Sequence, residues 1–497
     1  MKHTRKLLSL LLALVMVFAL AGTAMADDEG TTPTTYTITA PDNGHTYEVY
    51  QIFTGDLSKG VLSNVKWGKN GTGKQGEAVS DDILTELAGT TGSDTAKLAV
   101  ITKYVKLNSD EFGTVTKDAP LTDVPAGYYL IKDVDGALKG EEDSYTLYIV
   151  QIVGDVTISP KSDVPEFEKK LKDTNDTTGA TSGWQDSADW DIGDKVPFQL
   201  KGTVASNYDA YKTYYFAFHD IEEAGLTFDS ASVKVYVDGT LITTGYEVVT
   251  NPDDSCTFEV IFEDLKEIDS VHASSVITVE YESTLNVKAN LGNQGNVNKA
   301  NLEFSNNPNQ EQGGTPETGE TPWDNVIVFT YQVVVNKYAN SVEEANKLAG
   351  AEFTLEKVLK DGTKNTIAVV KSDDGTSFTF KGLDDGDYIL TETTTPDGYN
   401  TIEPITFTVT AEHTITWDGT NRTAVLTSLS GNAASGVITF TAAVNDGSLS
   451  TDVVNNSGTQ LPSTGGIGTT IFYVLGSVLV LAAVVLLVTK KRMSTNG

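Results

Sequence analysis

A lysine, a glutamate and an asparagine in the C-terminal third of the chain fall where strand patterns place buried side chains. Lys337 closes an alternating apolar run that begins at Tyr331, and side chains two residues apart in a strand lie on the same face. Glu392 and Asn455 likewise stand two residues after apolar side chains. Because an unpaired buried lysine or glutamate is costly, we expect the three side chains to satisfy one another within one core.

These three side chains are also the components of a self-modification reaction. Burial lowers the pKa of a lysine and raises that of a glutamic acid, because it disfavours the charged form of each. A neutral Lys337 amine is a nucleophile, and the Asn455 carboxamide is an electrophile whose carbonyl a protonated Glu392 can polarise. Loss of ammonia would leave an isopeptide crosslink, a single-turnover event that depends mainly on positioning.

A second set of residues with the same phasing lies earlier in the chain. Lys169 is in phase with the apolar residues that flank it, and Asp220 follows two in-phase aromatic residues. Asn298 opens an alternating apolar stripe. The sequence therefore places a lysine, an acid and an asparagine on core-facing positions in two separate regions.

The residues around the first set resemble the Cna B-type domains of Gram-positive pilins. The stretch Tyr388–Glu392 is similar to their E-box, and Leu348–Leu355 is similar to their second strand. Such pilins place the crosslinking asparagine a few residues before a sorting motif, where this chain has Asn455. The resemblance implies an isopeptide bond between Lys337 and Asn455, with Glu392 as the assisting acid.

The residues around the second set resemble the Cna A-like middle domain of backbone pilins. Asp220 precedes Gly225–Phe228 in an Asp-x-x-x-x-Gly-Leu-Thr-Phe pattern, and Asn298 opens an Asn-x-Ala pattern. The resemblance implies a bond between Lys169 and Asn298, assisted by Asp220. The choice of lysine and of asparagine stays open, because rivals stand nearby: Lys170, Lys172 and Asn296.

The C-terminal end combines a pentapeptide, an uncharged apolar run at 471–488 and a basic cluster at 490–492. The apolar run is long enough to span a bilayer as a helix, and the basic cluster keeps a tail cytoplasmic. The arrangement resembles the LPXTG sorting signal, in which a sortase cysteine cleaves between threonine and glycine and passes the threonine carbonyl to an amine. The pentapeptide consists of Leu461, Pro462, Ser463, Thr464 and Gly465.

Lys161, at a predicted domain boundary, is a candidate for the amine that receives this carbonyl. The stretch Val156–Ser162 resembles the pilin motif, although Ser159 and Ser162 replace the tyrosine and asparagine of that motif. The resemblance implies an intermolecular bond between Thr464 of one subunit and Lys161 of the next.

The N-terminal region departs from this pattern. Asp133 occupies the position that corresponds to Glu392, in a strand pattern of the same kind. The strands expected to open this region, at 35–40 and 45–53, contain no lysine. Without an amine there is no basis for the same reaction, so we predict no crosslink here.

Short alternating runs rich in Thr, Val, Tyr and Phe, separated by Asp-Gly and Asn-Gly turns, fill the chain between its two ends. They predict an all-β protein of three tandem immunoglobulin-like (Cna A/B-type) β-sandwich domains in an elongated rod. A basic and then apolar N-terminus predicts a signal peptide. The predicted segments are the signal peptide at 1–26, domains at 27–163, 164–322 and 323–460, and the sorting signal at 461–497 with a transmembrane helix at 471–488.

Composition excludes several classes of function. A net charge of −33 over 497 residues argues against binding nucleic acid. The single cysteine, Cys256, cannot form an intramolecular disulfide, and its strand pattern indicates a small buried side chain. The five histidines show no metal-ligand spacing, and no phosphate-binding loop or nucleophile elbow occurs. We therefore predict no metal, no cofactor and no enzymatic activity toward a substrate.

The resemblance covers the whole chain and implies a backbone (major) pilin, which is a structural subunit of a wall-anchored pilus that supports adhesion. The implied partners are a pilin-specific class C sortase, the housekeeping sortase with a peptidoglycan precursor, other copies of this chain, tip and basal pilins, and a host ligand. The alternatives are a monomeric LPXTG wall-anchored adhesin or accessory pilin, and a secreted enzyme with β-sandwich accessory modules. The last would need a catalytic domain, and no segment remains for one.

Overall fold

The structure is a computed structural model that describes residues 35–58, 61–90, 98, 100–138, 140, 143–158, 163–308, 317–418, 421–423, 425–434 and 436–458. Its regular elements are mostly strands, which confirms the all-β prediction. A short helix, α1, spans Asp81–Gly89. Short 3-10 turns lie at Thr102–Tyr104, Tyr208–Ala210, Leu265–Glu267, Gly292–Gln294, Glu344–Asn346 and Val444–Asp446.

The first domain packs two sheets around apolar side chains. Its strands are β1 (Thr35–Thr39), β2 (Tyr47–Ser58), β3 (Val61–Trp67), β4 (Gly113–Val115), β5 (Leu121–Pro125), β6 (Gly127–Asp133), β7 (Leu147–Ile152) and β8 (Val156–Thr157). The larger sheet has the order β3-β2-β6-β7, with β4 also paired to β2, and the smaller has the order β5-β1-β8.

The middle domain is a sandwich of two larger sheets. Its strands are β9 (Glu166–Leu171), β10 (Thr174–Asn175), β11 (Ala180–Thr181), β12 (Ser187–Asp189), β13 (Lys195–Thr203), β14 (Phe216–Glu222), β15 (Leu226–Val237), β16 (Thr240–Ile242), β17 (Glu247–Thr250), β18 (Phe258–Phe262), β19 (Val276–Leu285), β20 (Asn296–Ser305), β21 (Thr318–Glu320) and β22 (Asp324–Phe329). One sheet has the order β16-β15-β19-β13-β9, and the other has the order β12-β22-β20-β14-β18-β17 with β21 on β20. The pair β10-β11 is separate.

The third domain is a sandwich closed by its own last strand. Its strands are β23 (Tyr331–Ala339), β24 (Glu352–Val358), β25 (Lys364–Ile367), β26 (Val369–Lys371), β27 (Ser377–Leu383), β28 (Gly386–Thr394), β29 (Ile405–His413), β30 (Thr416–Asp418), β31 (Asn421–Thr423), β32 (Leu426–Ala433), β33 (Phe440–Ala443) and β34 (Ser448–Asn455). The sheets have the orders β26-β27-β23-β34-β33 and β25-β24-β28-β29-β32, with β30-β31 as a separate hairpin.

Strand β22 contributes to two cores at once. Its backbone pairs with β12 and β20 in the middle domain. Val326 and Val328 pack into the middle core, whereas Ile327 and Phe329, on the opposite face, pack into the core of the third domain. The middle sheet therefore extends past the boundary predicted between residues 322 and 323, because a strand that is apolar on both faces can serve both neighbours.

A buried lysine, Lys357, lies between the middle and third domains. Its Nζ contacts the carboxylate of Asp384 and lies 2.9 Å from Asp191 Oδ2 and 3.3 Å from Asp176 Oδ2. Asp176 and Asp191 belong to the middle domain, and Lys357 and Asp384 belong to the third. The nearby carboxylates raise the pKa of Lys357 above its ordinary value even though burial opposes them. This lysine therefore remains an ammonium ion that holds the two domains together.

Candidate functional site

The first predicted set meets in the core of the third domain. Strands β23 and β34 are parallel neighbours, and Lys337 pairs with Val453, two residues before Asn455. This offset lets the lysine side chain extend along the strand direction, so that its Nζ contacts Asn455 Oδ1. Lys337 and Asn455 are fully buried, and Glu392 reaches them from β28 in the facing sheet. All three residues therefore meet as the alternation predicted.

Glu392 holds the asparagine amide. Its Oε2 accepts a hydrogen bond of 2.9 Å from Asn455 Nδ2, and the backbone oxygen of Asn400 accepts a second bond from the same nitrogen at 2.9 Å. Glu392 Oε1 lies 3.8 Å from Lys337 Nζ. One carboxyl group thus touches the leaving nitrogen of the amide and faces the attacking amine.

Burial prepares Lys337 to act as a nucleophile. Its pKa falls to about 8, because desolvation of the ammonium outweighs the attraction of Glu392. About a tenth of the Lys337 amine is then neutral at pH 7. Lys357 is also buried but faces several carboxylates and has a raised pKa, so burial alone does not produce a reactive amine.

The second predicted set meets in the core of the middle domain, with its members drawn from both sheets. Lys169 on β9 contacts the carboxylate of Asp220 on β14, and both residues are fully buried. Asn298, also fully buried, lies on β20 beside β14. A bond between Lys169 and Asn298 would therefore join the two sheets, whereas the pair in the third domain joins neighbouring strands of one sheet.

Tyr281, which the sequence interpretation missed, lies between the lysine and the asparagine. Its hydroxyl accepts a 2.8 Å hydrogen bond from Lys169 Nζ and a 2.9 Å bond from Asn298 Nδ2, and it donates a 2.7 Å bond to Asp220 Oδ2. The hydroxyl therefore links all three predicted residues. Its position in phase with Ile277 and Val279 predicts burial of a polar group that needs a partner.

Glu222 is a second acid at this site. Its Oε1 accepts a 3.3 Å hydrogen bond from Asn298 Nδ2 and a bond from the Ser283 hydroxyl. Burial, followed by repulsion from Asp220, raises the pKa of Glu222 to about 8. Burial also raises the pKa of Asp220 and lowers that of Lys169. The available sequence signal was spacing, since Glu222 follows Asp220 by two residues in the same strand.

The alternative residues lie elsewhere. Lys170 Nζ lies 2.5 Å from Asp186 Oδ1 in a partly exposed pair, and the Lys172 ammonium lies 4.4 Å from the centre of the Trp184 ring. Asn296 uses both ends of its amide on the backbone: its Oδ1 accepts from the amide of residue 290, and its Nδ2 donates to the carbonyls of residues 290 and 328. Within the described residues, the geometry thus places Lys169 and Asn298 at the site.

In the first domain the buried acid faces a histidine. Asp133 Oδ1 lies 3.0 Å from His45 Nδ1, and its Oδ2 accepts a hydrogen bond from the Thr146 amide at 2.6 Å. His45 Nε2 lies 2.8 Å from Asp143 Oδ2. The His45 imidazole faces Asp133 in the way that Lys337 faces Glu392. This site therefore has the acid, but a histidine takes the place of the lysine amine.

Other predicted positions lie outside the described residues: Lys161, the pentapeptide Leu461–Gly465 with Thr464, the signal peptide at 1–26 and the membrane helix at 471–488. None of the helices that the structure does describe is long and apolar enough to cross a membrane.

Comparisons with known proteins support the motifs read from the sequence. A family described as a SpaA prealbumin-like fold domain matches residues 331–423, and the LPXTG cell wall anchor motif matches residues 453–494. The predicted cell-wall sorting signal is therefore confirmed.

Two named relatives extend the likeness over most of the chain. The trypsin-resistant surface T6 protein of Streptococcus pyogenes serotype M6 is 25% identical over 397 residues, which cover 67% of this chain and 70% of the relative. The solved structure of the T6 backbone pilin matches with a TM-score of 0.51 and 19% identity, covering 88% of this chain and 100% of the other. The full-length major pilin SpaD of Corynebacterium diphtheriae, 19% identical, gives a TM-score of 0.48 over 88% of this chain and all of its own. The match to the T6 structure shows a shared fold, and the sequence likeness to the T6 surface protein agrees with the predicted resemblance to Gram-positive backbone pilins.

Proposed function

We propose that this chain is the backbone subunit of a covalently polymerised pilus anchored to a Gram-positive cell wall. The observation that carries the proposal is the buried cluster of Lys337, Glu392 and Asn455, because its asparagine ends the strand that leads directly into the sorting signal. Tension applied at the C-terminus of a subunit would act first on this strand, and a covalent bond from Asn455 to Lys337 would keep the strand from separating. The T6 protein, whose fold this chain shares, is a backbone pilin, and the anchor motif accounts for attachment to the wall.

In the third domain, the neutral amine of Lys337 attacks the side-chain carbonyl carbon of Asn455. The new bond joins Nζ to Cγ, the bond from Cγ to Nδ2 breaks, and the proton released by the amine leaves with Nδ2 as ammonia. Glu392 contacts Nδ2 at 2.9 Å and lies 3.8 Å from the amine, so it can carry that proton from one nitrogen to the other. The reaction consumes no cofactor, and the middle and third domains each perform it once.

In the middle domain, Asp220 has the role of Glu392 for the bond between Lys169 and Asn298. Asp220 contacts the amine, and Glu222 contacts the leaving nitrogen. The Tyr281 hydroxyl touches both nitrogens and the Asp220 carboxylate, and it therefore offers a path for the proton. The work that a single glutamate performs in the third domain is divided here among several side chains.

Polymerisation uses Thr464, at the C-terminal end of the mature chain, and Lys161, between the first and middle domains. A pilin-specific class C sortase cleaves after Thr464 and transfers its carbonyl to Lys161 of another copy, and the housekeeping sortase attaches the finished fibre to a peptidoglycan precursor. Tip and basal pilins and a host ligand complete the assembly. The subunit itself is structural and does not act on a separate substrate.

Intact-mass spectrometry of residues 27–458 tests the intramolecular bonds. We expect the mass to fall short of the sequence mass by two ammonia molecules, and Glu392→Ala or Asp220→Ala should each restore one of them. Lys364→Ala, which removes an exposed surface lysine, is the control and should retain both losses. A wild-type protein of full sequence mass would overturn the crosslinks.

A further inference from the structure

Four side chains with metal-binding atoms converge on the outer face of the middle domain, away from the crosslink. His219 on β14 lies directly opposite Glu259 on the antiparallel strand β18. Asp254 and Cys256 come from the turn that precedes β18. One ligand atom from each residue lies within 4.8 Å of all the others. Residue spacing alone does not reveal this group, because its histidine lies on a different strand from the remaining members.

The distances between these atoms lie within about half an ångström of those that a small tetrahedral ion requires. His219 Nδ1 lies 2.8 Å from Glu259 Oε1 and 3.2 Å from Asp254 Oδ2. Cys256 Sγ lies 3.1 Å from the same Asp254 oxygen and 3.9 Å from His219 Nδ1. Bonds of about 2.0 to 2.3 Å in a tetrahedral zinc site place ligand atoms roughly 3.3 to 3.8 Å apart. Shifts of a few tenths of an ångström would therefore complete the coordination.

The identity of the donors selects the class of ion. Sulfur and imidazole nitrogen favour zinc and other late first-row metals, whereas calcium and magnesium take oxygen ligands. We propose that His219, Asp254, Cys256 and Glu259 bind one Zn²⁺ ion. Cys256 and Glu259 are buried, and Asp254 is largely exposed, so the ion would enter from the side of Asp254.

A fifth residue, Glu303, supplies an independent observation in favour of a metal site. Its Oε2 lies 3.2 Å from His219 Nε2, on the side of the ring opposite the cluster. A carboxylate that accepts the second ring proton orients a metal-binding histidine and leaves its other nitrogen free for the ion. Glu303 lies on β20, so the site ties together three neighbouring strands: β18, β14 and β20.

The acidic group between the middle and third domains is not a comparable candidate for a metal site. Asp176, Asp191 and Asp384 also come close to one another, but the ammonium of Lys357 already lies among them. A cation of the protein itself fills that position. The His219 group contains no lysine or arginine and has the sulfur and nitrogen donors that the interdomain group lacks.

Cobalt substitution gives a direct test, because the chain has only one cysteine. Residues 27–458, freed of metal with a chelator, should bind one Co²⁺ and show a thiolate-to-cobalt charge-transfer band in the near ultraviolet. Zn²⁺ should displace the cobalt and abolish the band. Calorimetric titration should give one zinc per chain. The absence of a cobalt–thiolate band, or zinc binding that leaves the band unchanged, would overturn the proposal.

Variants separate the site from general surface binding. Cys256→Ser should lose the band, and His219→Ala should lose zinc binding. Asp254 is exposed, so Asp254→Asn offers a third variant of the site that has little reason to misfold. Glu303→Gln should weaken zinc binding by about 10- to 100-fold while keeping the band, because it acts through the histidine. His272→Ala is the control and should bind as the parent does. Equal binding by His219→Ala and His272→Ala would rule out the site.

Discussion

At the scale of single residues, the protonation state separates a reactive lysine from a structural one. Lys337 and Lys357 are both fully buried in the third domain. Lys337 faces an amide and one carboxyl group, and burial lowers its pKa to about 8. Lys357 faces several carboxylates and has a raised pKa. The first can attack a carbonyl, whereas the second serves as a permanent positive charge.

The pKa of Lys337 predicts a pH dependence once the crosslink is prevented. In Asn455→Ala the amine remains free, and the unfolded chain binds more protons than the folded one between pH about 8 and the ordinary lysine value of 10.5. The free energy of unfolding should therefore rise with pH across this window, because the unfolded state releases its proton only at the upper end. Urea unfolding at several pH values measures the slope. Adding Lys337→Met should flatten it, and an unchanged slope would contradict the assignment.

Tyr281 and Glu222 should set the speed of bond formation in the middle domain. Tyr281→Phe removes the hydroxyl that joins Lys169 to Asn298, and Glu222→Gln keeps a hydrogen-bond acceptor near Asn298 that cannot take up a proton. We expect each variant to contain a fraction that retains one ammonia and that declines during incubation.

The measurement is intact mass as a function of time after purification. Tyr331→Phe, which alters a buried tyrosine in the third domain, is the matched control and should be fully crosslinked from the start. Complete crosslinking of Tyr281→Phe and Glu222→Gln at the earliest time point would exclude a role in the reaction.

Strand alternation predicted which side chains of the candidate sites are buried, but not which distant strands bring further residues to them. Period-two phasing placed Lys337, Glu392 and Asn455 inside because each follows apolar residues on its own strand. Tyr281 lies 61 residues from Asp220, and only the pairing of distant strands brings its hydroxyl to that acid. His219 and Cys256 were read as isolated residues for the same reason.

At the scale of elements, Lys357 should stabilise the contact between the middle and third domains. Burial raises the pKa of both Asp191 and Asp384, and the lysine ammonium opposes this shift. Lys357→Met would leave these carboxyls without their cation, at a cost of about 3–5 kcal/mol near neutral pH.

The loss should shrink as the pH falls, because protonation removes the unpaired negative charge. Denaturant unfolding of Lys357→Met and the parent at pH 7 and pH 5 measures this difference. Lys364→Met removes a lysine from an exposed pair and should change stability by less than about 1 kcal/mol at either pH. A Lys357→Met effect independent of pH would indicate lost packing instead.

The domain boundary shows why element assignment is harder than phasing. The boundary predicted between residues 322 and 323 assigns the apolar run Val326–Phe329 to the third domain. Its backbone pairs with the middle domain, while half of its side chains face the third. Sequence alone shows that both faces are buried but does not show which sheet receives the hydrogen bonds.

At the scale of the whole molecule, covalent bonds carry load that other interactions cannot. The chain has a net charge of −33, so copies repel one another, and its single cysteine rules out internal disulfides. A strand hydrogen bond contributes only about 0.5–1.5 kcal/mol net. A bond from Asn455 to Lys337 would pass tension from the last strand of the third domain to the first strand of the same domain.

Assembly of the fibre should depend on Lys161. Lys161→Ala, expressed in the native cell, should abolish the high-molecular-weight ladder of this protein in wall extracts while leaving the intact mass of the monomer two ammonia molecules short. Lys74→Ala, at an exposed position in the first domain, should leave the ladder intact. A ladder that persists in Lys161→Ala would mean that another lysine is used, and no ladder in the parent would favour a monomeric adhesin.

The shared strand β22 also limits how such a protein can diversify. Recombination between related genes exchanges whole folding units, and a junction before residue 324 would take from the middle sheet the strand between β12 and β20. A junction after residue 329 would deprive the third core of Ile327 and Phe329. The middle and third domains should therefore be inherited as a pair.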